Sequence, residues 1–169
     1  MVILAIITGV VLVVIDQILK AWAYLNLETS IPVIKNFFSL TYVENTGAAW
    51  GMFKDVTWLL VAMPVVVIVL GIAYLIYKKV NKGPLLWAST LIISGGVGNL
   101  IDRMNLFGRE ALLVNSDKFV IDYIQVHLFD FPVFNFADCC VTIGAILLFL
   151  YVLLSDDFKD KKPSGDTNA

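Results

Sequence analysis

Charge is scarce in this chain of 169 residues: Asp, Glu, Lys and Arg together supply 15% of it. The formal net charge is only -2, which leaves no basic surface for nucleic acid. Histidine occurs once, as His127, and cysteine only as the neighbours Cys139 and Cys140. That inventory cannot assemble a Cys/His metal centre, and adjacent cysteines are badly placed to bridge to each other. A carboxylate-only site would have to use the acids discussed below, so no metal is expected. No repeat at a fixed period is visible either.

Apolar sequence fills the space that charge leaves. Hydrophobic residues make up 59% of the chain and its mean hydropathy is +0.85, far outside the range of water-soluble domains. A membrane-spanning helix needs about 20 mostly apolar residues. Four stretches meet that need, at approximately 2–25, 58–77, 85–101 and 136–154. The first resembles a secretory leader near Ala21-Trp22-Ala23. However, no Lys or Arg precedes the run and Asp16 interrupts it, so it is read as a retained span. The expectation is an all-α membrane protein, a four-transmembrane-helix bundle forming a single domain over 1–155. A small β-rich region is expected in the first loop. Residues 156–169 are charged, contain Pro163, Ser164 and Gly165, and read as a disordered tail.

Orientation follows from the basic loops. Lys78, Lys79 and Lys82 crowd the turn between the second and third runs, and Lys159, Lys161 and Lys162 lie in the tail. Both are expected on the cytoplasmic side, as are the two termini. Asn99, Asp102, Asp122 and Asp138 then fall together near the opposite, extracytoplasmic face.

The remaining polar residues are few enough to take in turn. Asp16 and Lys20 are spaced to share one helix face and to neutralise each other, and Lys20 could also reach the interface along its aliphatic stem. Residues 36–43 read as strand and Glu44-Asn45-Thr46-Gly47 as a turn. Residues 48–53 are expected to rest on the membrane surface, with or without a ligand. Gly95, Gly98, Asn99 and Asp102 cluster at helical spacing, where small residues allow close approach of a helix or a substrate backbone. Arg103 can anchor that helix end or orient a carbonyl, and its charge beside Asp102 favours an ionised, structural acid. Asn135 and Asp138 open the last apolar run, where either could serve as a helix cap. A carboxylate at a membrane boundary is also a candidate for chemistry, and Asp122 lies in an equally apolar setting.

Five segments carry a family resemblance. They are Val14-Ile15-Asp16-Gln17 with Lys20; Glu44-Asn45-Thr46-Gly47-Ala48-Ala49; Gly95-Gly96-Val97-Gly98-Asn99-Leu100-Ile101-Asp102-Arg103; Val120-Ile121-Asp122-Tyr123-Ile124; and Phe134-Asn135-Phe136-Ala137-Asp138. In this order, across nearly the whole chain, they resemble the bacterial lipoprotein signal peptidase family, signal peptidase II.

The resemblance implies an intramembrane aspartyl endopeptidase of the bacterial cytoplasmic membrane, without cofactor. It would cut prolipoproteins just before a cysteine that carries diacylglycerol. Asp122 and Asp138 would be catalytic, with Asn45, Gly47, Asn99, Asp102, Arg103, Asn135 and Asp16 in support. Membrane lipid and the lipidated prolipoprotein are the partners implied, and a monomer is the expectation. Two departures stand out: an insertion at 109–119, whose Asp117 is rejected as solvated, and Cys139 where a small hydroxyl residue is common. A proton- or cation-coupled carrier is the alternative, with the acids as a relay, and a scaffold subunit is a third reading. A carrier would favour acids at mid-membrane and internal symmetry.

Overall fold

The computed structural model describes residues 1–47, 52, 56–106, 119–128 and 130–155. Four helices, α1 (Val2–Asn26), α2 (Thr57–Tyr77), α3 (Pro84–Arg103) and α4 (Phe136–Leu154), alternate with strands β1 (Ile31–Ile34), β2 (Phe38–Asn45) and β3 (Val120–Val126). All four helices are long and apolar enough to cross a membrane. Their bounds lie within a residue or two of the runs expected from hydropathy. The tail at 156–169, most of the 109–119 insertion with Asp117, and residues 48–53 apart from Met52 lie outside the described residues.

Burial runs opposite to that of a water-soluble fold. On α1 the buried residues are Ala5, Asp16, Lys20 and Ala23, while Ile3, Ile6, Val10 and Ile18 are exposed. Across the bundle the outer surface is Ile, Val, Leu and Phe, and the largest fully buried side chains include Lys20, Asn135, Asp16 and Asp122. Apolar groups gain nothing by leaving lipid, whereas charged groups gain by finding one another away from it.

Helix α3 is the hub, packing most extensively on α4 and also on α1 and α2. Two glycines let α3 and α4 close together. A Cβ at Gly95 would collide with the Ala137 carbonyl oxygen and lie 2.8 Å from Val141 Cγ2. One at Gly144 would lie 2.8 Å from the Ala88 carbonyl oxygen. With no side chain between them, backbone meets backbone, which is the usual way helices gain contact in lipid.

The three strands form one antiparallel sheet in the order β1-β2-β3. Ile121 and Tyr123 of β3 pack with Ala23 of α1, with Leu27 just beyond its end and with Phe119, so the sheet rests on the end of the first helix. Two sequence expectations are corrected here. The strand expected over 36–43 begins later, because Asn36 turns with φ 59°. The turn expected at Glu44 and Asn45 is instead the last part of β2. Those two residues stay extended because they pair with Ile121 and Val120 of β3, a partner that only the folded chain brings near.

Candidate active site

The start of α4 is held unusually firmly. The first N–H groups of a helix have no partner within it and need one from outside. Here Asn135, in an extended conformation, caps the helix, and its Oδ1 accepts from Asp138 N at 3.0 Å. Asp138 Oδ2 accepts in return from Asn135 N at 3.0 Å, completing a reciprocal capping box. The Phe136 N–H donates to the Tyr123 hydroxyl on β3 at 3.3 Å, and the Ala137 N–H to Asp16 Oδ1 on α1 at 3.0 Å. A strand, a distant helix and the cap itself thus fix where Asp138 sits. Capping and a place in a polar site, which the sequence left as alternatives, coexist in the same two residues.

Asp122 reaches the same point from β3. Its Oδ1 accepts from Asn135 Nδ2 at 2.7 Å and its Oδ2 from Asn45 Nδ2 at 2.8 Å. One Asn135 side chain therefore touches both acids, Asp122 through its amide and the Asp138 backbone through its carbonyl. Asn45 Oδ1 accepts from Gly47 N at 3.0 Å, and the Gly47 carbonyl accepts from Arg103 Nη2. Arg103 thus braces the bend that aims Asn45. Asp122 is 2% exposed, and its carboxyl is pushed up to about 6 from 3.8. Loss of water does most of this and the nearby Asp138 adds to it, against the bonds from Asn45 and Asn135. Burial also lifts the Tyr123 phenol, which keeps it neutral at the mouth of α4.

Behind the pair lies a second polar layer. Asn99 Nδ2 donates to Asp138 Oδ1 at 2.7 Å, while its Oδ1 accepts from Lys20 Nζ at 2.8 Å. Lys20 in turn pairs with Asp16 at 2.8 Å and Asp102 at 2.9 Å. Gln17 Nε2 reaches Asp16, Asp102 and the Gly98 carbonyl at 3.1–3.3 Å. Gly98 makes this possible, since a Cβ there would lie 2.6 Å from Asp16 Oδ2.

All nine residues singled out from the sequence (Asp16, Asn45, Gly47, Asn99, Asp102, Arg103, Asp122, Asn135 and Asp138) belong to this one hydrogen-bonded cluster. Asp102 forms a salt bridge with Lys20, while Arg103, which still feels the charge of Asp102, turns to the Gly47 loop; successive residues leave a helix about 100° apart. One expectation is corrected. Lys20 does not reach toward the interface: it is 0% exposed, as is expected of a cation ringed by anions in a bundle interior. Gln17 is the member to which the sequence assigns no role, although it stands beside Asp16 in the first of the five family segments.

The pair opens on a cleft of about 790 Å³. Asn45, Asn99, Arg103, Asp122 and Asp138 line its polar end. Leu60, Met63 and Pro64 of α2 and Ile143 of α4 are among the mostly apolar residues that line the rest. Two carboxyls at the head of an apolar channel suit acid–base chemistry on a polar bond within a lipophilic molecule.

A family model described as Signal peptidase (SPase) II matches residues 8–154. The chain is 40% identical to a lipoprotein signal peptidase of Clostridium tetani, covering 95% of this chain and 97% of that one. It is 39% identical to one of Clostridium acetobutylicum, covering 89% and 94%. A bacterial membrane enzyme structure determined by the in meso method superposes with TM-score 0.75 at 28% identity, over 94% of this chain and 92% of that one. A second of the same description gives TM-score 0.72 at 29% identity, over 90% and 93%.

Proposed function

The chain belongs to the signal peptidase II family, and from that premise we propose that it is an aspartic endopeptidase that removes signal peptides from diacylglyceryl-modified prolipoproteins. The observation that carries the aspartic assignment is the meeting of Asp122 and Asp138 on Asn135 at the head of the cleft. Two close carboxyls ionise together only at high cost, so they share a proton. Asp138, half-buried and open to the cleft, takes the proton of an attacking water. Asp122, more deeply buried, donates to the scissile carbonyl oxygen, and the proton gained by Asp138 goes to the departing amine. Both oxygens of Asp138 already accept one hydrogen bond each, which leaves lone pairs for the water.

The apolar length of the cleft is where the lipid would lie. A buried CH₂ is worth about 0.8 kcal/mol against water, but the bilayer already supplies that, so the channel selects by shape. The enzyme sits in the bacterial cytoplasmic membrane as a monomer. Both termini are cytoplasmic, the orientation that the lysines between α2 and α3 favour, and the acid pair lies near the extracytoplasmic face. A carrier is the weaker reading, because each acid is held by fixed internal donors at one end of the bundle.

The test is cleavage of a synthetic peptide bearing diacylglyceryl cysteine beside its unlipidated twin, using purified enzyme in liposomes. Cleavage before the lipidated cysteine, at least about 100-fold faster than for the twin, is expected from loss of the channel's contribution to positioning. Equal rates, or ion flux without cleavage, would sink the proposal.

The pH dependence is a separate prediction. The donor must hold its proton, and Asp122 loses its own at about 6. In the free enzyme kcat/KM should therefore fall about tenfold per pH unit above that point. The limb in kcat should lie higher, since substrate excludes more water. A kcat/KM profile flat from about pH 5 to about pH 9 would contradict the shared proton.

A further inference from the structure

Lys20 takes no part in the reaction described above, yet it is wholly buried. An ammonium group has three donors and no acceptor. Each of the three meets an oxygen: Asp16 Oδ2 at 2.8 Å, Asp102 Oδ2 at 2.9 Å and Asn99 Oδ1 at 2.8 Å. Two carboxylates already more than offset its single charge. The third contact goes to a neutral carboxamide, so its consequence is directional.

A carboxamide can present either oxygen or nitrogen to a neighbour, and a half-turn exchanges the two. At Asn99 the half-turn is blocked. It would set Nδ2 against the Lys20 ammonium and against Asn135 Nδ2, which lies 3.1 Å from the present oxygen. What remains is the orientation in which Asn99 Nδ2 donates to Asp138 Oδ1 at 2.7 Å.

We propose that Lys20 is a positioning residue of the acid pair: sharing Asn99 Oδ1 with Asn135 Nδ2, and as the charged and closer of the two donors, it fixes that carboxamide as a donor to Asp138, and so assigns the shared proton to Asp122. A locked donor is answered by an oxygen that accepts. A flipped Asn99 would instead offer Asp138 an acceptor, favour the proton there and exchange the roles of the two acids. This inference rests on the aspartic mechanism above. Among the described residues, the charged groups facing Asp138 are Asp122 from β3 and Arg103 from α3, with Lys20 and Asp102 behind Asn99 and Asp16 across Ala137; the titratable Tyr123 and Cys139 lie within its field as well.

Lys20→Met alone would leave two buried carboxylates without their cation, so it is combined with Asp16→Asn, which keeps the net charge of the cluster unchanged. Two titrations are run on each full-length variant. One is the pH–rate profile with the diacylglyceryl peptide; the other is the infrared carboxyl titration of the purified protein, which requires no turnover. In the double variant the acidic midpoint of the pair is expected to rise by about one pH unit, the loss of one charge-assisted hydrogen bond. Asp16→Asn alone should not raise it. In an Asn99→Ala background, the Lys20 and Asp16 replacements should move the midpoint no further, because the route through the carboxamide is gone.

An unmoved midpoint, or an equal rise with and without Asn99, would overturn the proposal; the latter would mean that Lys20 acts only through its field. The expected infrared shift in a protein that never cleaves the peptide would uphold the positioning and refute the peptidase reading. A cleaving parent whose double variant shows no shift would do the reverse.

Discussion

Asp122→Asn and Asp138→Asn are each expected to lower kcat on the lipidated peptide by about 10³-fold or more, because neither amide can give or take the proton in transit. The two variants should then part company in stability. In Asp138→Asn the new side chain would have to keep its oxygen toward the Asn135 N–H to preserve the cap, turning its amide toward Asn99 Nδ2. Lys20 holds Asn99 in place, so two donors face each other, at a cost of about 1–3 kcal/mol. Asp122→Asn should behave differently. The parent carboxyl, pushed up to about 6, binds its proton more tightly folded than unfolded. Its neutral form therefore supports the fold fully below about pH 4. That support is lost as pH rises toward about 6, by roughly 3 kcal/mol at most. Asparagine, always neutral, escapes the loss. Its new NH₂ must face the Asn45 or the Asn135 amide donor, which costs about 1–3 kcal/mol and offsets that gain, so above about pH 7 the Asp122→Asn protein should melt close to the parent, and its melting temperature should be less sensitive to pH. Thermal unfolding in detergent from about pH 4 to about pH 8, beside single-turnover cleavage, checks both. Turnover above about a tenth of the parent's in either variant would place the chemistry elsewhere.

The second large effect should come from a residue with no functional group. Gly95→Ala puts a methyl group into the Ala137 carbonyl and against Val141. The obstacle is backbone, and α4 cannot slide away without releasing the two N–H bonds that tie its start to Tyr123 of β3 and Asp16 of α1. A destabilisation of about 2–3 kcal/mol is expected from overpacking. The protein that still folds should lose activity of the order of 100-fold, as displaced catalytic groups do. Gly96→Ala is the control one residue on. Its new Cβ would meet only the Ile68 side chain, 3.3 Å from Cδ1, and that flexible end can give way. Near-parental activity and melting are expected there. If Gly95→Ala also behaves like the parent, the close α3–α4 contact does not place Asp138.

The acid pair illustrates how far reading the chain could go. Asp122 and Asp138 stood out because a carboxylate amid Phe, Val and Ile is costly wherever the apolar residues face lipid, a fact of local composition. The α4 cap was equally local, since Asn135 and Asp138 are spaced for it. The i,i+4 pairing of Asp16 with Lys20 needed only helix geometry and holds in the structure. Strand β3 was not legible, because Val120–Val126 becomes a strand through pairing with β2, and Asn45 is 77 residues from Asp122.

Sequence alone determined the four membrane-crossing runs, the scarcity of charge and the identity of the polar residues that lipid would not tolerate unpaired. Each follows from the transfer free energy of a residue and its near neighbours, which no later packing can alter. Tertiary structure alone decided that Lys20 turns inward to Asn99 and Asp102, that Arg103 holds the Gly47 loop, and that one Asn135 side chain joins both acids. Those choices depend on which helix faces meet and how closely. The distance between α3 and α4 is set by glycines, whose contribution is the side chain they do not have.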